Sequence, residues 1–317
     1  MSRNLIQFQP GLSLSKFIKL YGTQAQCDDA LEATRWPSGF RCPHCGDTRH
    51  SSRYRSDRKL FQCYRCRRQT SLTAGTIFDS TKLSLTIWFL AMHLLTQAKN
   101  NVSTLELSRH LGVSYNTAWL IKHKLLQVME EREQTRELIG RVEIDDAYLG
   151  GEHRGKRGRG SPNKVPFVAA VQTNDEGHPL FVRFDRVDGF THDEIEHWAQ
   201  QALSASTVAY SDGLRGFTIL SEMVNDHIPS VTGSGPAAVQ HPQFKWVNTL
   251  LANLKTAITG TYHAIKFQKY AQRYLSESQY RFNRRFDLST ILSRLLRAAV
   301  TTKPKNLNVT RLAELCT

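Results

Sequence analysis

The chain has 317 residues, of which 40% are hydrophobic and 22% are charged, and its formal net charge is +14. This is the composition of an ordinary globular protein of two or three domains, and its excess positive charge predicts a polyanionic partner. The alternative is a generally basic surface without a specific partner. No apolar run reaches the length of a bilayer span and no signal-peptide core is found, so we expect a cytoplasmic protein with reduced cysteines and no membrane partner.

Residues 1–39 are predicted to be a helical N-terminal segment. Leu14, Phe17, Ile18 and Tyr21 form one apolar stripe at helical spacing. Pro37 and Gly39 then interrupt the pattern, so a different structure is expected to follow.

Two CxxC pairs characterise residues 40–80. Seventeen residues separate the pair Cys42 and Cys45 from the pair Cys63 and Cys66. This spacing lets four thiolates converge on one tetrahedral Zn²⁺, which predicts a zinc ribbon. The segment from Trp36 to Thr70 has nine Lys or Arg against two Asp, and so basic a metal-bound module indicates nucleic-acid binding. Cys27 and Cys316 have no such partner and are interpreted as ordinary cysteines.

Residues 81–135 have the pattern of three helices. Ser103, with Glu106 three residues later, is predicted to cap a short helix that ends before Gly112. A longer helix from about Tyr115 follows, and these are the proportions of a helix-turn-helix. Three-helix bundles that bind no DNA have the same pattern. The groove-facing set would be Tyr115, Asn116, Thr117, Lys122 and His123.

Residues 136–317 change to the period of strands. Three strands, a helix, a further strand and then helices are the order of a ribonuclease-H-like α/β fold. Two of the strands end in an acid, at Asp145 and at Asp212. Strand ends at one edge of such a sheet gather ligands, and paired carboxylates bind Mg²⁺ or Mn²⁺. The alternative is that both acids only cap loops, and alternation alone leaves Asp146 as a competitor of Asp145.

A third candidate position lies in a predicted helix from Phe244 to Ile258. Asn248 and Lys255 are seven residues apart and share one face, whereas Asn253 points elsewhere. Asn248 could add an amide oxygen to the two acids, and Lys255 could meet a phosphate; a surface Asn and Lys are the alternative. The glycine-rich loop 151–164 carries five Lys or Arg and would grip phosphates. The alternative is a disordered linker, and both hold if the loop becomes ordered only on DNA.

Taken in order, these segments resemble the bacterial insertion-sequence transposases of the DDE class that have an N-terminal zinc ribbon. The resemblance covers nearly the whole chain and is carried by Arg35–Gly46, Phe61–Cys66, Thr73–Phe78, Val142–Asp146, Gly150–Gly151, Tyr210–Gly216, Trp246–Asn248, Asn253–Lys255, Gly260–His263 and Tyr280–Arg285. It implies that Asp145 rather than Asp146 is catalytic, together with Asp212, Asn248 and Lys255. Asn253 remains a rival of Asn248.

The resemblance further implies a DNA transposase that binds terminal inverted repeats in double-stranded DNA. Structural Zn²⁺ and catalytic Mg²⁺ or Mn²⁺ would be its cofactors, with Asp145, Asp212 and Asn248 as ligands of the catalytic ions. The enzyme would cleave and transfer strands, and it would act as a homo-oligomer on DNA. The alternative is a zinc-dependent DNA-binding regulator whose nuclease-like domain does not cut.

Overall fold

The computed structural model describes residues 5–150, 164–230, 241–262 and 267–313. The chain divides into two compact units, one of Met1–Val128 with Arg285–Thr317 and one of Met129–Arg284. Compactness therefore groups residues 285–317 with the N-terminal unit, whereas the sequence pattern groups them with 136–284.

The described residues form ten α-helices and eight strands. The helices are α1 (Leu14–Tyr21), α2 (Gln24–Arg35), α3 (Leu85–Gln97), α4 (Thr104–Leu111), α5 (Tyr115–Gln134), α6 (His192–Ala202), α7 (Lys245–Thr261), α8 (Phe267–Phe282), α9 (Ile291–Thr301) and α10 (Leu307–Leu312). The strands are β1 (His50–Arg55), β2 (Arg58–Cys63), β3 (Gln69–Ser71), β4 (Arg141–Leu149), β5 (Val165–Thr173), β6 (Pro179–Arg186), β7 (Val208–Asp212) and β8 (Asp226–Ser230). No helix among the described residues combines the length and the apolarity that crossing a bilayer requires.

Short polar side chains set where the predicted helices begin. The Ser103 hydroxyl accepts a hydrogen bond from the Glu106 backbone N–H, and the Thr191 hydroxyl accepts one from Glu194. Each bond satisfies a backbone donor that has no partner within its helix. The cap predicted for α4 is confirmed.

The first unit contains three short strands, which form an antiparallel sheet in the order β1-β2-β3. Phe61 of β2 is fully buried, and its ring centre lies 4.9 Å from that of Trp36 and 5.0 Å from that of Phe40. Three aromatic rings therefore pack together against this small sheet.

Helices α4 and α5 are joined by a tight turn. Gly112 ends α4 with a φ of 63°, a left-handed conformation that glycine adopts without steric cost. Tyr115 of α5 is exposed, as expected of a groove-facing residue. The expectation that Lys122 and His123 face outward is wrong, because both are fully buried. The Lys122 ammonium donates to the Val102 carbonyl oxygen, which compensates the buried charge.

The second unit is built on a five-stranded mixed sheet in the order β6-β5-β4-β7-β8. Strand β4 lies at its centre, antiparallel to β5 and parallel to β7. Strand β8, which the sequence analysis did not predict, pairs in parallel with β7 at the edge. Its run Asp-His-Ile-Pro-Ser has no apolar alternation, and its proline is tolerated because the strand lies at an edge.

Each face of this sheet carries its own hydrophobic core. On one face, Val142 and Ile144 of β4 pack with residues of α6, including Ile195 and Trp198. On the other face, Ala147 and other sheet residues pack with α7 and α8; the helical members of this core include Val247, Leu250, Leu254, Ala271 and Leu275. Because alternate residues of β4 serve different cores, the two faces of the strand are fixed by packing.

Candidate active site and metal centres

Asp145 lies on the face of β4 that helix α7 covers. The buried residues Val142 and Ile144 point into the opposite core, so Glu143, Asp145 and Ala147 share the α7 face. Strand alternation alone did not decide which of Asp145 and Asp146 faces this side. The packing of β4 does, because Asp145 lies on the same face as Ala147 and Asp146 lies on the other.

Asp212 ends the neighbouring strand at the same level. The parallel ladder between β4 and β7 ends with the pair Ile144 and Ser211, and the next residue on each strand is the predicted acid. Carboxylate oxygens of Asp145, Asp146 and Asp212 all lie within 4.8 Å of one another. The structure therefore brings the two predicted acids together, and it adds Asp146 to them.

The electrostatics of this cluster favour a cation. Burial, together with the negative charges of Asp146 and Asp212, raises the pKa of Asp145 to about 7. The Asp146 backbone N–H and the Lys255 ammonium act in the opposite direction without cancelling this effect. A carboxyl group whose pKa is raised by burial and like charges gains from a divalent cation, which removes the repulsion.

Helix α7 contributes the remaining predicted residues. Asn248 lies in its first turn and is half-buried, while Asn253 and Lys255 are exposed. The influence of the Lys255 charge on Asp145 shows that the face of α7 with Lys255 is near the acid. Asn248 is on that face, because seven residues are nearly two whole turns, and Asn253 lies about 140° around the helix from Asn248.

The residues present fit Mg²⁺ or Mn²⁺. Three carboxylates at one sheet edge supply the hard oxygen ligands that these ions prefer, in a cluster with more negative than positive charge. The Asp212 carboxylate is oriented by its own loop, since its Oδ1 accepts the backbone N–H of Leu214 at 3.1 Å.

The four predicted cysteine ligands also converge. The Sγ atoms of Cys42 and Cys66 are 3.6 Å apart, and those of Cys45 and Cys63 are 3.5 Å apart. Four thiolates around a tetrahedral Zn²⁺, each about 2.3 Å from the metal, would have sulfurs roughly 3.8 Å apart. The observed spacing therefore fits a structural zinc ion.

The two cysteine turns repeat one backbone geometry. The N–H of Gly46 donates to the carbonyl oxygen of Cys42, and the N–H of Arg67 donates to that of Cys63. Gly46 and Arg67 both have left-handed backbones, with φ of 75° and 60°. The sequence does not reveal this at Arg67, where a side chain other than glycine adopts the conformation.

Comparison with known protein families gives two matches in this chain. The model of an ISXO2-like transposase domain matches residues 137–283, and that of a transposase zinc-ribbon domain matches residues 22–69. Residues 137–283 are thus similar to an ISXO2-like transposase domain. Asp145, Asp212, Asn248 and Lys255 all lie within this matched segment, and the four converging cysteines lie within the segment that matches the zinc ribbon.

Two further comparisons concern individual proteins. An uncharacterised protein in the transposable element ISH50 of Halobacterium salinarum is 28% identical over 224 residues, which are 65% of this chain and 72% of the relative. Among solved structures, a chain in the crystal structure of a pre-cleavage Mos1 transpososome matches 67% of this chain and 78% of its own length. That match has 8% identity and a TM-score of 0.23, which is too low to support an argument about the fold.

Three further sequence interpretations concern the basic loop, Cys316 and Cys27. The basic loop 151–164 lies, except for Lys164, outside the described residues, as does Cys316. Cys27 is fully buried and its thiol donates to the Tyr21 carbonyl oxygen at 3.3 Å, as expected of an ordinary cysteine.

Sequence reasoning missed one polar residue near the site, Glu143. It is buried beside the acids, and its carboxylate accepts hydrogen bonds from the backbone of α7. The available signal was its position two residues before Asp145, which places both side chains on one face of the strand.

Proposed function

We propose that this protein is a DNA transposase that binds terminal inverted repeats and catalyses metal-dependent strand cleavage and strand transfer. The observation that carries the proposal is the meeting of the Asp145 and Asp212 carboxylates within 4.8 Å, within the transposase domain. Two acids from neighbouring strands form the arrangement that phosphoryl-transfer enzymes use to hold divalent cations.

The architecture of the second unit supports a ribonuclease-H-like catalytic domain of the DDE class. In this unit, β4, β5 and β6 come first and pair antiparallel to one another. Strands β7 and β8 then add in parallel on the other side of β4. The acids consequently come from the central strand and its parallel neighbour.

In this proposal the residues divide the chemistry among them. Asp145, Asp212 and the amide oxygen of Asn248 hold Mg²⁺ or Mn²⁺, and Lys255 neutralises or positions a phosphate of the DNA. When bound, a pair of such cations supplies activation of the attacking hydroxyl and stabilisation of the leaving oxygen.

DNA recognition belongs to the first unit in this proposal. The zinc ribbon is strongly basic, and α4, the turn at Gly112 and α5 have helix-turn-helix proportions. Tyr115 and Asn116, both exposed at the start of α5, are the proposed groove-facing residues. Because transposition joins two DNA ends, the active form is proposed to be a homo-oligomer on DNA.

The test is cleavage of a duplex that contains a transposon end, with Mg²⁺ or Mn²⁺ added. Asp145→Ala and Asp212→Ala should each lose cleavage and joined-end products while still binding the duplex. Asp226→Ala is the matched control, because this acid is exposed and starts a strand of the same sheet. It should cleave like the wild type.

Two results would count against the proposal in different ways. Binding without cleavage by the wild-type protein, in either metal, would favour the DNA-binding regulator with a nuclease-like domain that does not cut. Cleavage without joined ends would favour a metal-dependent nuclease that lacks strand transfer.

A further inference from the structure

Helix α7 begins without a capping side chain of its own. The residue before its first turn is Phe244, a buried core residue whose side chain accepts no hydrogen bond, and its first turn contains no acid. The first backbone N–H groups of a helix have no acceptor within the helix, and leaving them buried without one is costly. An oxygen from another part of the fold is therefore required.

Glu143 of β4 supplies that oxygen. Its Oε2 accepts the backbone N–H of Trp246 at 2.8 Å and that of Val247 at 3.0 Å. These are the second and third residues of the helix, the same donors that an N-terminal Ser or Asp would satisfy. The side chain is only 1% exposed, and its Oε1 accepts a hydrogen bond from Arg141 at 3.3 Å.

We propose that Glu143 is a positioning residue of the candidate active site, which sets the place of Asn248 and Lys255 relative to Asp145. The inference rests on the proposed function for the meaning of that site. It adds a tether between the strand that carries the first acid and the helix that carries the amide and the lysine.

The position of the tether gives it this effect. Glu143 lies two residues before Asp145 on the same face of β4, which is about 6.6 Å along the strand. At the other end, the bonded N–H of Val247 immediately precedes Asn248. A single buried carboxylate thus fixes the distance between the backbone of the acid and the backbone of the amide.

The chemistry of the tether suits a glutamate. A carboxylate at the N-terminus of a helix makes charge-assisted hydrogen bonds and meets the positive end of the helix dipole. A glutamine keeps one acceptor oxygen without the charge, and an alanine leaves two buried N–H groups without a partner. The start of α7 should therefore be held most firmly by Glu143, less firmly in Glu143→Gln and least firmly in Glu143→Ala.

The experiment measures Mn²⁺ affinity by calorimetry and hydrogen exchange of the first turn of α7 without metal, in the full chain. Glu143→Ala should bind Mn²⁺ roughly 10–100-fold more weakly, which is the usual loss when a residue that orients metal ligands is replaced. Glu143→Gln should bind with intermediate affinity. The N–H groups of Trp246 and Val247 should exchange slowest in the wild type, faster in Glu143→Gln and fastest in Glu143→Ala.

The matched control is Thr191→Ala, which removes the cap of α6 on the opposite face of the same sheet. It should lower the melting temperature and leave Mn²⁺ affinity unchanged, so lost stability alone is separated from lost positioning. If Glu143→Ala does not fold, Glu143→Gln carries the test.

Unchanged Mn²⁺ affinity in folded Glu143→Ala, or in folded Glu143→Gln when it alone is available, would overturn the inference. If the wild type itself binds no Mn²⁺, the proposed function fails, and hydrogen exchange alone then decides on the tether. Faster exchange confined to the first turn of α7 would support it, and unchanged exchange would overturn it.

Discussion

At the scale of single residues, the raised pKa of Asp145 makes the stability of the metal-free protein depend on pH. Because this pKa is about 7 in the metal-free protein and about 3.9 in an unfolded chain, the folded protein keeps a proton that the unfolded chain loses between these values. In the absence of metal, stability should therefore fall as the pH rises from about 4 to about 7.

The first prediction is that binding of a divalent cation becomes stronger as the pH rises through the pKa of Asp145. A cation competes with the proton on Asp145, so Mg²⁺ or Mn²⁺ should bind about tenfold more weakly at pH 6 than at pH 8. The rise in melting temperature on adding Mn²⁺, measured at both pH values, checks this. Asp145→Asn should abolish that rise at both, and equal Mn²⁺ effects in the wild type would contradict the prediction.

The second prediction separates the two asparagines of α7. Asn248→Ala should raise the Mn²⁺ concentration needed for half-maximal cleavage roughly tenfold or more, because the proposed amide ligand is lost. Asn253→Ala, an exposed residue about 140° around the same helix, should match the wild type. The metal dependence of cleavage is the measurement.

Asn248→Asp is the informative companion of these variants. A carboxylate in place of the amide adds negative charge beside the acids of the cluster, so this variant should bind Mn²⁺ more tightly than the wild type at pH 8. If Asn253→Ala rather than Asn248→Ala changed the metal dependence, the assignment of the third site residue would pass to Asn253.

At the scale of elements, the third prediction concerns the zinc ribbon. Cys63→Ser removes one of four ligands, and metal binding supplies much of the folding free energy of so small a module. The variant should lose its zinc and the order of strands β1 and β2, as measured by metal content and hydrogen exchange.

Cys27→Ser provides the matched control for this prediction. Cys27 is buried in α2 and is not one of the four converging thiols. Its replacement should leave the zinc content at that of the wild type. Full zinc content in Cys63→Ser would show that three cysteines suffice.

Elements with strong local signals were predictable from the sequence. The cap at Ser103, the end of α4 before Gly112 and the convergence of two CxxC pairs all depend on short-range chemistry. The meeting of Asp145 and Asp212 was predicted from the ends of two apolar strands, because parallel neighbours end at one edge.

Features that depend on tertiary contacts were not predictable. The helical period of α5 gave Lys122 and His123 no reason to be buried, since their burial comes from packing by other elements. Strand β8 has no apolar alternation and is held by pairing with β7. The role of Glu143 depends on a helix that begins about a hundred residues later in the chain.

At the scale of the whole molecule, the net charge of +14 leads to the fourth prediction. Each DNA phosphate that the protein neutralises releases counterions, so binding should weaken steeply between 50 and 200 mM salt, by about 10³-fold or more for six contacts. Binding to a duplex with the transposon end, titrated at several salt concentrations, measures the slope.

Exposed arginines of strand β1 provide a variant for this test. Arg53 and Arg55 lie exposed on an edge strand of the zinc ribbon. If both contact phosphates, the double alanine variant should lower the salt slope by about two. A flat salt dependence of the wild type would contradict the argument from charge.

The alternation along β4 has a consequence for how this protein tolerates insertions and deletions. If the strand slipped by one residue, Asp146 would occupy the place of Asp145 and an acid would still face α7. Ile144 would then occupy the place of Glu143, and the helix would lose the oxygen that holds its first turn. After such a slip, Asp146 would keep a carboxylate at this position, but the position of α7 relative to that carboxylate would be lost. The register of β4 therefore depends on Glu143 and Ile144 as well as on the two aspartates.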